Sequence, residues 1–199
     1  MLPTLEEAYG KQLLSHIFTH IWLGDWDKYE ETMQQLPDQL ALEFPFHKHY
    51  DRESTALWRD NYFSIPGDYF IPPYLSTYQD KSEEDDQEAK QSLLCLIGAF
   101  DRIGFYYPLE KEEFPDHIGS ITAFIAAATN EEVKAIQAND EELLQQLQNV
   151  QHEMYQDHLA PALQALWKTN HQKLSDPFFQ AFLPYYMDQM EALVQVPTT

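Results

Sequence analysis

Asp116 and His117 stand side by side in the run Phe114-Pro115-Asp116-His117. A carboxylate next to an imidazole favours the imidazolium and can orient it as an acid-base pair. The same two residues also read as an Asp helix cap followed by a first-turn His. His16 and His20 are four residues apart, so a helix would carry both rings on one face, a spacing that zinc accepts. No Glu follows His16 and no third ligand is identifiable, so both read as surface or interface histidines and no metal is expected. His47 and His49 lie in a Phe- and Pro-rich loop and carry no stronger signal. The single cysteine, Cys95, sits in Leu93-Leu94-Cys95-Leu96-Ile97. One cysteine excludes an internal disulfide and a Cys-based zinc site, and this one reads as a small buried hydrophobe.

Other chemistries are excluded by pattern. The glycines fall at 10, 24, 67, 98, 104 and 119, too far apart for a phosphate-cradling loop, a dinucleotide fingerprint or a nucleophile elbow. No histidine has Glu three residues before it, so the usual di-iron helix motif is absent. None of these nucleotide, nucleophile-elbow or di-iron sites is therefore expected.

Helices must position these groups. Thr4 and Glu7 form a capping box, and Leu5, Tyr9, Leu13, Ile17 and Ile21 follow at spacing four. Further helices are expected at about 27–36, 37–44 and 51–63, the last with Leu57 and Trp58 inward. Another is expected at 84–103, with Ala89, Leu93, Leu96, Ile97 and Phe100 inward and Gly104 as its stop. Asp116 would cap a helix over 117–128. Asn130 would cap a long helix over 131–159 with Leu143 among its inward residues, unless Asn139-Asp140 divides it. Pro161 opens a short helix. Ser175-Asp176-Pro177 opens the last one, 177–194, which Pro184 should kink.

Two stretches break the helical period. Residues 64–78 hold three prolines, one glycine and four Tyr or Phe, which predicts a long extended loop too aromatic to lie idle in water. An acidic run over 80–88 follows and reads as a solvated helix start. The second loop covers 105–116. No strand pattern is present. The expectation is an all-α, single-domain helical bundle of roughly nine or ten helices spanning 1–199, with loops at 64–80 and 105–116.

The 199 residues are enough for one core without staples. Lys and Arg number 12 against 33 Asp and Glu, for a net charge of −21. Such a surface repels phosphate backbones and anionic lipid, which argues against nucleic-acid binding and suits a basic partner. The N-terminus has no basic and apolar signal-peptide pattern, and no apolar run approaches the ~20 residues of a membrane span. The chain reads as cytoplasmic, without stable membrane insertion.

Three blocks resemble the TorD/DmsD family of redox-enzyme maturation chaperones. Ile71-Pro72-Pro73-Tyr74-Leu75-Ser76-Thr77-Tyr78-Gln79-Asp80 is similar to that family's Pro-Pro-aromatic stretch. Phe114-Pro115-Asp116-His117-Ile118-Gly119-Ser120 is similar to its Pro-Asp-His loop. His158-Leu159-Ala160-Pro161 with Asp176-Pro177-Phe178-Phe179 is a weaker third match. Order and spacing agree from about residue 60 to 185. Tyr74, Tyr78 and Ala162 stand where the DmsD branch carries Trp, so the branch and its client stay undetermined.

The resemblance implies a TorD-like, cofactor-free, cytoplasmic chaperone. Its partners would be the twin-arginine leader and the body of a molybdoenzyme precursor, held back from export until molybdopterin is loaded. It would be a monomer, or a homodimer that swaps C-terminal helices. The resemblance also suggests guanine-nucleotide binding, which the glycine pattern does not support. The three arginines, Arg52, Arg59 and Arg102, are not adjacent, so no such leader is expected in this chain itself.

A leader receptor needs carboxylates for guanidinium and an apolar groove for the run that follows. Tyr69, Tyr74, Tyr78, Tyr106 and Phe124 are the candidate groove. Pro72, Pro73 and Pro115 would stiffen the loops, Ser76 lies between them, Asp116 and Asp80 would face the arginines, and His117 would orient Asp116 or touch the leader. Structural alternatives stand beside these roles: Tyr74 and Tyr78 as covers over the core, Phe124 as core, Ser76 as a turn cap. Two other readings stay open: an enzyme, such as a hydrolase, using Asp116-His117 as an acid-base pair, and a generic acidic adaptor.

Overall fold

The computed structural model describes residues 3–78, 85–105 and 114–195, with the side chains of 85–93 excepted. Nine α-helices lie in these stretches: α1 Leu5–Leu23, α2 Trp26–Gln35, α3 Asp38–Ala41, α4 Arg52–Phe63, α5 Asp85–Arg102, α6 Ile118–Ala138, α7 Glu141–Met154, α8 Ala160–Asn170 and α9 Pro177–Leu193. The fold is an all-α bundle, and no strand occurs among the described residues. None of the helices is long and apolar enough to cross a membrane.

The local signals act through backbone satisfaction. At the start of α1 the Thr4 hydroxyl accepts from Glu7 N–H at 3.2 Å, and Glu7 Oε2 accepts from Thr4 N–H at 2.7 Å. Gly24 ends the helix in the left-handed region, at φ 66°. A side chain there would also meet Arg59, whose Nε lies 3.2 Å from an added Cβ. Arg59 earns that close approach by donating from Nε and Nη2 to the Trp22 carbonyl, at 3.3 and 2.9 Å. At α9, Asp176 accepts from Phe179 N–H at 3.2 Å and Pro177 takes the first turn. The helix continues through Pro184 to Leu193.

The core is aromatic. Phe18 and Trp22 of α1 meet Tyr186 of α9 edge-on, with ring centroids 5.1 and 5.5 Å apart. Phe46 meets Phe182 at 5.4 Å. All five rings are almost fully buried, and each contributes about 1.5–3 kcal/mol by leaving water. One connected cluster runs from Ile17 to Val194. The interface of α1 with α6 is partly polar: Ser15 and Thr129 share a buried 3.1 Å hydrogen bond.

Several expectations from periodicity are corrected. Asn130 caps nothing. It lies inside α6, where its carbonyl oxygen accepts from Gln12 Nε2 at 2.7 Å and contacts His16 Nε2 at 3.0 Å. The break falls at Asn139, which adopts φ 53°, and Asp140 caps α7 by accepting from Leu143 N–H at 3.0 Å. Leu57 and Leu143 are exposed, as are Cys95 and Ile97 on α5. In α4 the inward face is Thr55, Arg59, Tyr62 and Phe63. A buried arginine there displaces Leu57, which a hydrophobicity rule alone would have put inside. Leu96, Ala99 and Phe100 supply the inward face of α5. A π-helical turn, Tyr155–Leu159, joins α7 to α8.

Candidate functional site

The aromatic loop after α4 is seated from beneath. Tyr62 carries the seat at both ends. Its carbonyl accepts from Ile71 N–H at 2.6 Å, while its hydroxyl oxygen accepts from the Ser175 and Asp176 amides at 2.7 and 2.9 Å. Lys173 donates to the Phe70 carbonyl at 2.7 Å. Tyr78 closes the far side by donating to the Pro72 carbonyl at 2.8 Å, and its oxygen accepts from Asn170 Nδ2 at 3.5 Å. Thus the turn between α8 and α9, which ends at Asp176 of the weaker third block, holds the first loop in place.

The two loops are then zipped together. Tyr74 and His117 form an isolated antiparallel bridge. Leu75 N–H donates to the Asp116 carbonyl at 2.9 Å, and Ile118 N–H donates to the Pro73 carbonyl at 2.8 Å. The Asp116 carboxylate adds a third tie. Its Oδ2 accepts from the Ser76 hydroxyl at 2.6 Å and from Ser76 N–H at 3.3 Å. The Tyr74 ring stands edge-on to His117 at 5.4 Å and to Phe114 at 6.0 Å.

His117 itself caps α6, and this corrects the expectation that Asp116 does so. Its Nδ1 accepts from Gly119 N–H at 2.9 Å, which leaves the ring proton on Nε2. The ring is 1% exposed. Burial, helped by the Arg59 guanidinium, lowers its pKa to about 3. The imidazole is therefore neutral near pH 7. The charged imidazolium-carboxylate pair of the enzyme reading is not what this geometry builds. Gly119 is required by the cap, because a Cβ there would stand 2.9 Å from both His117 Nδ1 and Leu23 Cδ2.

The remaining candidates separate by burial. Phe124 is fully buried, 5.0 Å from the Phe100 ring and 5.9 Å from Phe105, so it is core and not groove. Pro73 is buried, while Pro72 and Pro115 are half-buried beside the bridge. Asp116, Tyr74 and Tyr78 are half-buried, and Ser76 and Tyr69 are exposed. Burial also pushes the Tyr78 phenol above its usual range. Asp80 and Tyr106 lie outside the described residues.

Two aromatic residues near this surface were not selected from sequence. Trp58, expected inward, is half-buried; it stacks on Tyr62 at 5.2 Å and receives Tyr69 edge-on at 5.3 Å. Phe114 is 64% exposed beside Tyr74. Its place just before Pro115 was the available signal, since that residue is pushed out of helix. No group of three or more metal-binding side chains occurs among the described residues.

Residues 29–168 match a family model, a stretch from α2 to α8 that contains both zipped loops. The class so defined is the all-helical maturation chaperones of molybdoenzymes, not a class of enzymes. Within it, the chain belongs to the nitrate reductase delta subunit family, in agreement with the TorD/DmsD resemblance. No curated protein and no solved structure matches the chain.

Proposed function

We propose that this chaperone acts in the cytoplasm by binding the twin-arginine leader, the cofactor-free body, or both, of a molybdopterin-dependent oxidoreductase. It assists cofactor insertion and holds the precursor back from export. The observation that carries the reading is the zip between the loops. It ties the Asp116 carboxylate to Ser76 on the same two loops that hold Tyr74 against the exposed ring of Phe114, an arrangement made before any peptide arrives. Carboxylate and aromatic faces are the chemistry that guanidinium and a following apolar run require. A preformed surface has little ordering entropy left to lose on binding. The net charge of −21 steers a basic peptide toward the protein and makes association salt-sensitive.

The test is titration of a labelled synthetic leader, with two adjacent arginines and an apolar run, into the full chain at low and moderate salt. Replacing the arginine pair with alanines should weaken binding about tenfold or more, corresponding to ~1.4 kcal/mol. Asp116→Asn should weaken the native leader and leave the alanine leader unchanged. Equal affinity for both leaders at low salt would remove the leader from the proposal. Co-purification of the unprocessed enzyme body would then decide whether the body is the contact.

A further inference from the structure

Away from the loops, α1, α6, α7 and the end of α9 meet around one buried carboxyl. Glu132 of α6 is 1% exposed. Its Oε1 accepts from Gln151 Nε2 of α7 at 2.5 Å, and the same amide donates to the Leu147 carbonyl at 3.1 Å. Its Oε2 is buried and has no hydrogen-bond partner among the described residues. The cation paired with it among the described residues is Lys11 of α1, with Nζ 4.0 Å from Oε2, too far for a hydrogen bond. The recess is closed by Gln148, Leu193 and Val194.

We propose that Glu132 is a proton-linked latch that holds the C-terminal turn of α9 against α1, α6 and α7 while its carboxyl is neutral, and loosens that turn when it ionises. The geometry supplies the asymmetry. A neutral carboxyl keeps the Gln151 bond and leaves a single O–H at Oε2 unmet, a smaller cost than a buried charge. An ionised one needs further donors at Oε2, and opening the turn admits water to supply them. Burial raises the Glu132 pKa, opposed by Lys11 and by the Gln151 bond, so the proton stays on to higher pH in the closed state than in the open one.

The charges facing the latch are few. Lys11 comes from α1. From α7 come the neutral Gln148 and Gln151, and the end of α9 presents Leu193 and Val194. On α6 itself, the neighbouring Glu131 is bonded to Lys134 at 2.6 Å. The turn itself carries the exposed Glu191, and against it lies His152 of α7, whose Nδ1 is 3.2 Å from the Val194 carbonyl.

The sign follows from linkage. A carboxyl with a raised folded pKa stabilises the closed turn fully below its ordinary pKa, and that contribution is lost as pH rises to the folded value. The experiment is amide hydrogen exchange on the full chain at a series of pH values. Opening of the Leu193 and Val194 amides is corrected for intrinsic exchange and referenced to the amides of α4. In the wild type, opening should rise up to about tenfold per pH unit above the ordinary carboxyl range and then level off. Glu132→Gln should be flat over that window. Lys11→Met keeps the carboxyl, removes the cation, and should move the levelling point to higher pH. His152→Gln should keep the wild-type profile. A flat wild-type profile, a rise that persists in Glu132→Gln, an unmoved levelling point in Lys11→Met, or a rise that vanishes in His152→Gln would each overturn the latch.

Discussion

The Ser76 hydroxyl donates a 2.6 Å hydrogen bond to the Asp116 carboxylate, joining two loops 40 residues apart in the chain. The carboxylate accepts at Oδ2, and among the described residues no hydrogen bond engages Oδ1, whose lone pairs stay available to a guanidinium. Ser76→Ala should therefore cost about 1 kcal/mol of stability, as a partly exposed bond to a charged group does. Urea denaturation measures that loss. Leader affinity should fall with it, because Asp116 is then free to rotate.

Gly119→Ala should be costlier than a glycine-to-alanine change inside a helix usually is. The new methyl would lie 2.9 Å from both His117 Nδ1 and Leu23 Cδ2, so either the cap breaks or α1 shifts. Overpacking of this kind costs about 1–3 kcal/mol. A thermal melt reads it, and an unchanged or higher melting temperature would mean that the cap relaxes freely.

His117 makes the protein acid-sensitive. Its pKa is lowered to about 3 in the folded state, from an ordinary value of 6.5. A depressed folded pKa contributes stability that is present above pH 6.5 and is lost as pH falls toward 3. The loss should approach ~1.4 kcal/mol per pH unit within that window. His47 and His158, also lowered by burial, act in the same direction. In His117→Gln, urea midpoints at pH 7 and pH 5 should lie closer together than in the wild type, even though the variant is less stable at both.

Phe124 and Phe114 should separate core from surface. Phe124→Ala removes a fully buried ring and should cost about 3–5 kcal/mol. Phe114→Ala removes a ring that is 64% exposed and should cost under about 1 kcal/mol. If the bridge surface receives the leader, Phe114→Ala should weaken leader binding despite its small effect on stability. Denaturation and peptide titration on the same samples compare the two.

How much of this was legible in the chain depends on the range of the interaction. The Thr4–Glu7 box, the Gly104 stop and the Asp176-Pro177 start were readable, because a helix end is satisfied by residues three or four positions away. The all-α class was readable for the same reason, through the period of the apolar residues. Leu57 and Leu143 were misplaced because apolar character does not say which face the neighbouring helices leave uncovered. Asn130 was misassigned because its partners are Gln12 and His16, more than a hundred residues away.

For the candidate site, the sequence by itself determined the residue types and their confinement to two loops. Proline, glycine and aromatic content restrict the backbone locally, and that restriction can be read without a partner. The tertiary structure decided everything that depends on distance between the loops. It tied Asp116 to Ser76, bridged Tyr74 to His117, put Phe124 in the core, and buried His117 near the Arg59 guanidinium so that its ring stays neutral. Charge state and exposure are properties of the surroundings a fold creates, and those surroundings come from α1, α4, α8 and α9 as much as from the loops themselves.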